Sequence, residues 1–116
     1  MNVLGNQNDL IVLVDRAGEE RGQIREALQE KGYSVKCFGD GETALHTMSG
    51  INPELIVSSV DLSGVNGYEL CRKVREVPRF ENIPFVFIST EDKHGLDTLK
   101  GLKAGADDFV NRPVIP

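Results

Sequence analysis

Cysteine is scarce in this chain. Only Cys37 and Cys71 occur, far apart and with no further Cys or His near them at ligand spacing. A zinc site built on these thiols therefore does not fit. Long apolar runs are also missing, and nothing approaches the length of a membrane span. The opening residues, MNVLGNQNDL, lack the charged-then-apolar order of a signal peptide. We therefore expect a cytoplasmic protein with both thiols reduced and buried. Positive charge is outnumbered, 13 Lys and Arg against 18 Asp and Glu, for a net charge of −5. That balance argues against nucleic acid or an anionic membrane as the main partner. No internal repeat, low-complexity tract or linker interrupts the 116 residues. What remains has the composition of one soluble domain with a core of its own.

Short apolar runs alternate with amphipathic stretches. Leu10–Val14 and residues 55–57 and 85–88 are apolar on both faces. Strands of a parallel sheet, covered on both sides, read this way. Ser34–Phe38 and residues 109–111 are weaker strand candidates. Residues 19–31 open with two acids, which suit the positive end of a helix dipole. They carry Ile24, Ala27 and Leu28 on one stripe and stop at Gly32. Asp40 is set to cap a helix over 41–49 whose inward face is Ala44, Leu45 and Met48. Residues 68–76 turn Leu70, Cys71 and Val74 inward. Leu96–Ala104 puts Leu96, Leu99 and Leu102 on one side and ends at Gly105. The strict β-α alternation predicts an α/β, doubly wound parallel sheet with right-handed crossovers. In such sheets the working site lies beyond the carboxyl ends of the strands. That directs attention to Asp15, Arg16, Ser59, Ser89 and Arg112.

Five segments carry a resemblance: VLVDRAGEERGQIREAL, YSVKCFGDGETAL, PELIVSSVDLSGVNGYELCRKVR, IPFVFIST and GLKAGADDFVNRP. In spacing and residue class the chain resembles the response regulator receiver domain, the CheY-like family, over about residues 10–113. The resemblance implies a single flavodoxin-like domain with a five-stranded sheet of order 2-1-3-4-5. It also implies a chemistry. In the family, two acids after the first strand help to bind Mg²⁺, and an aspartate ending the third strand takes a phosphoryl group. A Ser or Thr ends the fourth strand, and a lysine precedes a cis-proline after the fifth.

Position by position, three of these five have changed. The first acid is present as Asp15, but the second position holds Arg16. The phosphoacceptor position holds Ser59, and the hydroxyl position keeps Ser89. Arg112 stands for the lysine, followed by Pro113, and Phe109 occupies the switch aromatic position. A serine hydroxyl cannot form the family's acyl phosphate. Mg²⁺ prefers hard carboxylate oxygens, and Asp15 is the only remaining candidate ligand. A positive charge about 4 Å from the ion would cost roughly 4 kcal/mol at an effective dielectric of 20. We therefore expect no cofactor, with Mg²⁺ bound weakly or not at all. An Asp15–Arg16/Arg112 cluster would replace the metal, since the arginine fork favours carboxylates.

The expected role is a phosphorylation-independent receiver-like module in two-component (phosphorelay) signalling, and not an enzyme. Its partner would be another protein or an attached effector domain, with a homodimer also open. By resemblance the output surface comprises Phe109, His94, Lys100 and Lys103. Two alternatives stand beside this. One is an anion or small-molecule sensor, with Ser58, Ser59 and Ser89 beside Arg16 and Arg112 in the degenerate pocket. The other is residual phosphotransfer through Asp61, two residues past Ser59. The resemblance further implies a final helix after Pro113, yet the chain stops at Pro116. Leaving about 300 Å² of apolar face bare would forgo at most about 7 kcal/mol. The expectation is a fragment of a longer signalling protein, or a partner over that face.

Overall fold

The computed structural model describes residues 9–89 and 96–111. It contains β1 (Leu10–Val14), α1 (Glu19–Glu30), β2 (Ser34–Phe38), α2 (Gly41–Met48) and β3 (Leu55–Ser59). Then follow α3 (Gly67–Glu76), a 3₁₀ turn (Pro78–Phe80), β4 (Phe85–Ser89), α4 (Leu96–Ala104) and β5 (Asp108–Asn111). The strands form one sheet of order β2-β1-β3-β4-β5, parallel throughout. The doubly wound parallel sheet is the one the alternation predicts, and its strand order is the one the resemblance implies. The region beyond Asn111, where the final helix was expected to be missing, lies outside the described residues.

Two apolar clusters pack against opposite faces of the sheet. On one face Val12, Val14, Ile56, Phe85 and Phe87 meet Ala44, Met48, Leu70, Cys71 and Val74. On the other, Ile11, Leu13, Val57 and Ile88 meet Ile24, with Leu28 against them. Successive strand residues alternate between the two clusters, as the pleat requires. That is why β1 must be apolar at every position. Each fully buried Phe or Leu contributes on the order of 2 kcal/mol.

Capping sets the helix starts. The Asp40 side chain accepts from the Thr43 N–H at 2.7 Å, and the Asn66 side chain accepts from the Glu69 N–H at 3.0 Å. Each cap closes the loop between a strand and the helix that follows it, so they fix loops at the site's end of the sheet.

Three features go beyond the sequence reading. β3 runs two residues further than 55–57 and takes in Ser58 and Ser59. A 3₁₀ turn follows α3, and Arg79 ties it to the end of α2 by donating to the carbonyls of Met48, Ser49 and Ile51. The side of α4 that carries Leu99 and Leu102 is its outer one: each is 48% exposed, whereas Gly101 and Ala104 are buried. The reason is steric. A Cβ on Gly101 would lie 2.9 Å from the Phe87 ring and 3.3 Å from the Phe109 ring. The aromatic rings fill that space, so only a small residue can face them.

Candidate functional site

The carboxyl ends of β1, β3 and β4 bring Asp15, Ser59 and Ser89 together as buried polar residues, 2%, 5% and 7% exposed. Asp15 is anchored by its own N–H to the Phe38 carbonyl at 2.9 Å. Its carboxylate accepts the Arg16 backbone N–H at 3.0 Å, and its carbonyl accepts from Arg21 Nη1 at 3.1 Å. Ser58 Oγ donates to the Ser59 carbonyl at 2.9 Å, and Ser59 Oγ donates to the Asp61 carbonyl at 3.4 Å. Among the described residues, no buried side-chain nitrogen or oxygen lacks a partner.

Arg16 does not join Asp15 as the sequence reading expected. Its side chain is exposed, and no ion pair links the two. Adjacent residues leaving a strand point to opposite sides, so a buried Asp15 turns Arg16 outward. The remaining arm of that cluster, Arg112, lies outside the described residues, as does His94. Phe109 is half-buried, with its ring centroid 6.1 Å from that of Phe87. Lys100 and Lys103 are exposed on α4.

An open cavity of about 370 Å³ lies at this end of the sheet, lined by Arg16, Gly39, Asp61, Ser63, Asn66 and Tyr68 together with Val60 and Leu62. The serines proposed for an anion pocket do not line it. Ser58 is fully buried, and the cavity is built instead by the loop from Val60 to Tyr68. Asp61 is exposed there, while its carbonyl faces Ser59.

Gly67 sets the distance between this loop and the sheet. Any Cβ there would collide with the Ser59 carbonyl and approach the Phe87 ring to 2.9 Å. Its N–H donates to the Val60 carbonyl at 2.9 Å, closing the loop on itself.

Sequence reasoning missed Arg21, Asn66 and the hydroxyl of Tyr68. Asn66 had a signal, since Asn-x-x-Glu opening an apolar run is a capping pattern. Arg21 had none, because it reaches backbone.

Comparisons with known proteins agree with this geometry. Residues 11–116 match the response regulator receiver domain. The response regulator PleD of Caulobacter vibrioides is 33% identical over 104 residues, which is 90% of this chain and 23% of PleD. The transcriptional regulatory protein AfsQ1 of Streptomyces coelicolor is 31% identical over 104 residues, 90% of this chain and 44% of that protein. The chain thus spans less than half the length of these relatives. The chemotaxis protein CheY4 of Vibrio cholerae superposes with a TM-score of 0.86 at 25% identity, covering 93% of this chain and 89% of that one. No helix among the described residues is long and apolar enough to cross a membrane. With its matched span, its strand order and its polar cluster at the carboxyl ends of the strands, the chain belongs to the response regulator receiver domain family of two-component signalling.

Proposed function

We propose that this receiver works without phosphorylation, as a protein-interaction module that is not itself an enzyme. The observation that carries the reading is Ser59. It closes β3 at the site, and the nearest downstream aspartate, Asp61, is exposed in the loop beyond. An alkyl hydroxyl cannot replace a carboxylate as the acceptor of an acyl phosphate.

The divalent ion that the family implies does not fit the residues present. Magnesium takes hard oxygen ligands in near-octahedral order. Among the described residues, Asp15 is the one buried carboxylate at the strand ends. Among the described residues, no three His, Cys, Asp or Glu side chains gather as a metal group. Nor does any orphaned buried oxygen among the described residues ask for an ion.

Without a covalent switch, any change of state comes from a partner that binds one conformation better than another. That partner is a separate protein or an effector domain attached in a longer chain. The exposed face of Leu99, Lys100, Leu102 and Lys103 beside Phe109 is the first place for it.

Amide NMR with and without Mg²⁺ and acetyl phosphate tests the reading. Unchanged spectra are expected. Saturable shifts at Asp15 and Ser59 on adding Mg²⁺ would overturn it.

One observation favours a second reading, an anion sensor. Arg16 lines the cavity and has no ion-pair partner among the described residues. Phosphate or sulfate titration decides between the two. Saturable shifts confined to Arg16, Ser63 and Asn66 would favour the sensor.

A further inference from the structure

Helices α2 and α3 lie side by side on one face of the sheet. Each carries the chain from the end of one parallel strand back to the start of the next, so the two run in the same direction. A groove of about 520 Å³ opens between them, lined by Gly41, Glu42, Leu45, His46, Val65 and Lys73. Leu45 and Val65 are half-buried and form its apolar part, whereas Glu42, His46 and Lys73 are exposed. Charge is sorted along the pair. Glu42 and Glu69 sit in the first turns of the two helices, and His46 and Lys73 sit in the last turns. The helix dipoles favour that order. They do not account for an open apolar groove between the charges. Nor do they account for Glu42, Glu69 and Lys73 standing without an ion pair among the described residues.

We propose that this face is where two copies of the chain meet, related by a two-fold axis that lies in the interface and crosses both helices. That rotation sets the helices of one copy antiparallel to those of the other. The acidic end of each copy then lies on the basic end of its partner, and the apolar parts of the two grooves close on each other. A surface with acids at one end, bases at the other and an apolar middle is complementary to itself in this way, as an isologous contact requires. A partner surface of one charge sign would be repelled at one of the two ends. The helices have 8 and 10 residues, so they are only about 12 and 15 Å long. The buried area therefore falls at the low end for specific pairs, and the dimer is weak and exchanges with monomer. The contact goes beyond the phosphorylation-independent reading, because it uses no residue at the strand ends.

Sedimentation velocity on the full chain, from about 10 μM to about 1 mM, reads the association. The sedimentation coefficient should rise with concentration. Amide shifts on dilution should fall on residues 42–46, 65 and 69–73, a map that needs no variant. Glu42→Lys/Glu69→Lys reverses the acidic end, and His46→Glu/Lys73→Glu reverses the basic end. Alone, each variant should associate at least about tenfold more weakly, because like charges then meet at both ends. Mixed in equal amounts, the two should associate again, since every end finds its opposite. Both variants stay net negative, so bulk charge does not draw them together. Circular dichroism establishes that each is folded. A chain that stays monomeric throughout, dilution shifts confined to α4, or a mixture no more associated than either variant alone would overturn the proposal.

Discussion

The carbonyl oxygen of Ser59 occupies the space that a side chain on Gly67 would need. The start of α3 therefore rides directly on the end of β3, at the site itself. Gly67→Ala should cost about 1–3 kcal/mol, the usual penalty for overpacking against backbone. Gly22→Ala makes the contrast. It lies in α1, where an added Cβ meets nothing within 4 Å. That change should stabilise by roughly 0.5–1 kcal/mol through helix propensity. Urea midpoints for the two variants should move in opposite directions.

Arg75 is the main tie between the elements on the far side of the domain. It donates to the carbonyls of Gly105, Phe80, Glu81 and Ile83, and pairs with Asp107 at 3.0 Å. Asp107 also accepts the Phe85 N–H at 2.9 Å. Arg75→Ala should destabilise by about 2–4 kcal/mol, since several carbonyls lose a charged donor together. Asp107→Asn should cost about 1 kcal/mol or less. The Asp107 side chain is 60% exposed, and an amide oxygen can still accept from Phe85. Denaturation curves showing equal losses would contradict this ranking.

The two cysteines should differ sharply in reactivity. Cys71 is fully buried between α3 and the sheet, and burial pushes its thiol up to about 11, with Arg75 opposing weakly. The thiolate is the reactive form, so Cys71 should resist maleimide in the native state. Cys37, partly exposed on β2, should be labelled first. Peptide mapping after a short pulse reads this directly. Equal labelling of both would mean the core opens on that timescale.

The cap of α2 should be acid-sensitive. The backbone N–H of Thr43 holds the Asp40 carboxyl below its ordinary value of 3.8, with the Thr43 hydroxyl adding to the effect. A depressed folded pKa contributes stability that is present above the unfolded value and is lost as pH falls through the folded one. The Thr43 amide shift should therefore titrate with a midpoint below the ordinary carboxylate value. A midpoint at or above that value would show that the cap does not form in solution.

Much of the fold was legible because parallel strands must be apolar on both faces. Leu10–Val14 admits no other reading once its length is considered. β5 was harder, since as an edge strand with a mostly exposed pattern it carries little periodic signal. The α4 leucines lie on its outer side for a physical reason. Leucines at helical spacing normally mark an inward face. Here the rings of Phe87 and Phe109 already fill the groove, and small residues face it. At the site, Asp15, Ser59 and Ser89 followed from counting strand ends. Arg16 did not, because burial of one residue at a strand end turns the next outward. Arg21, Arg75 and Arg79 act mainly on backbone carbonyls, some of them distant in the chain, and no local pattern announces such bonds.

The central claim is that β3 ends on a group that cannot carry a phosphoryl. Incubation with acetyl phosphate and Mg²⁺, followed by intact mass, tests it most directly, with the double variant Arg16→Asp/Ser59→Asp as the comparison. The native chain should gain no phosphoryl adduct, while the variant, with its carboxylates restored, should gain one. A phosphoryl adduct on the native chain that disappears in Asp61→Asn would contradict the account.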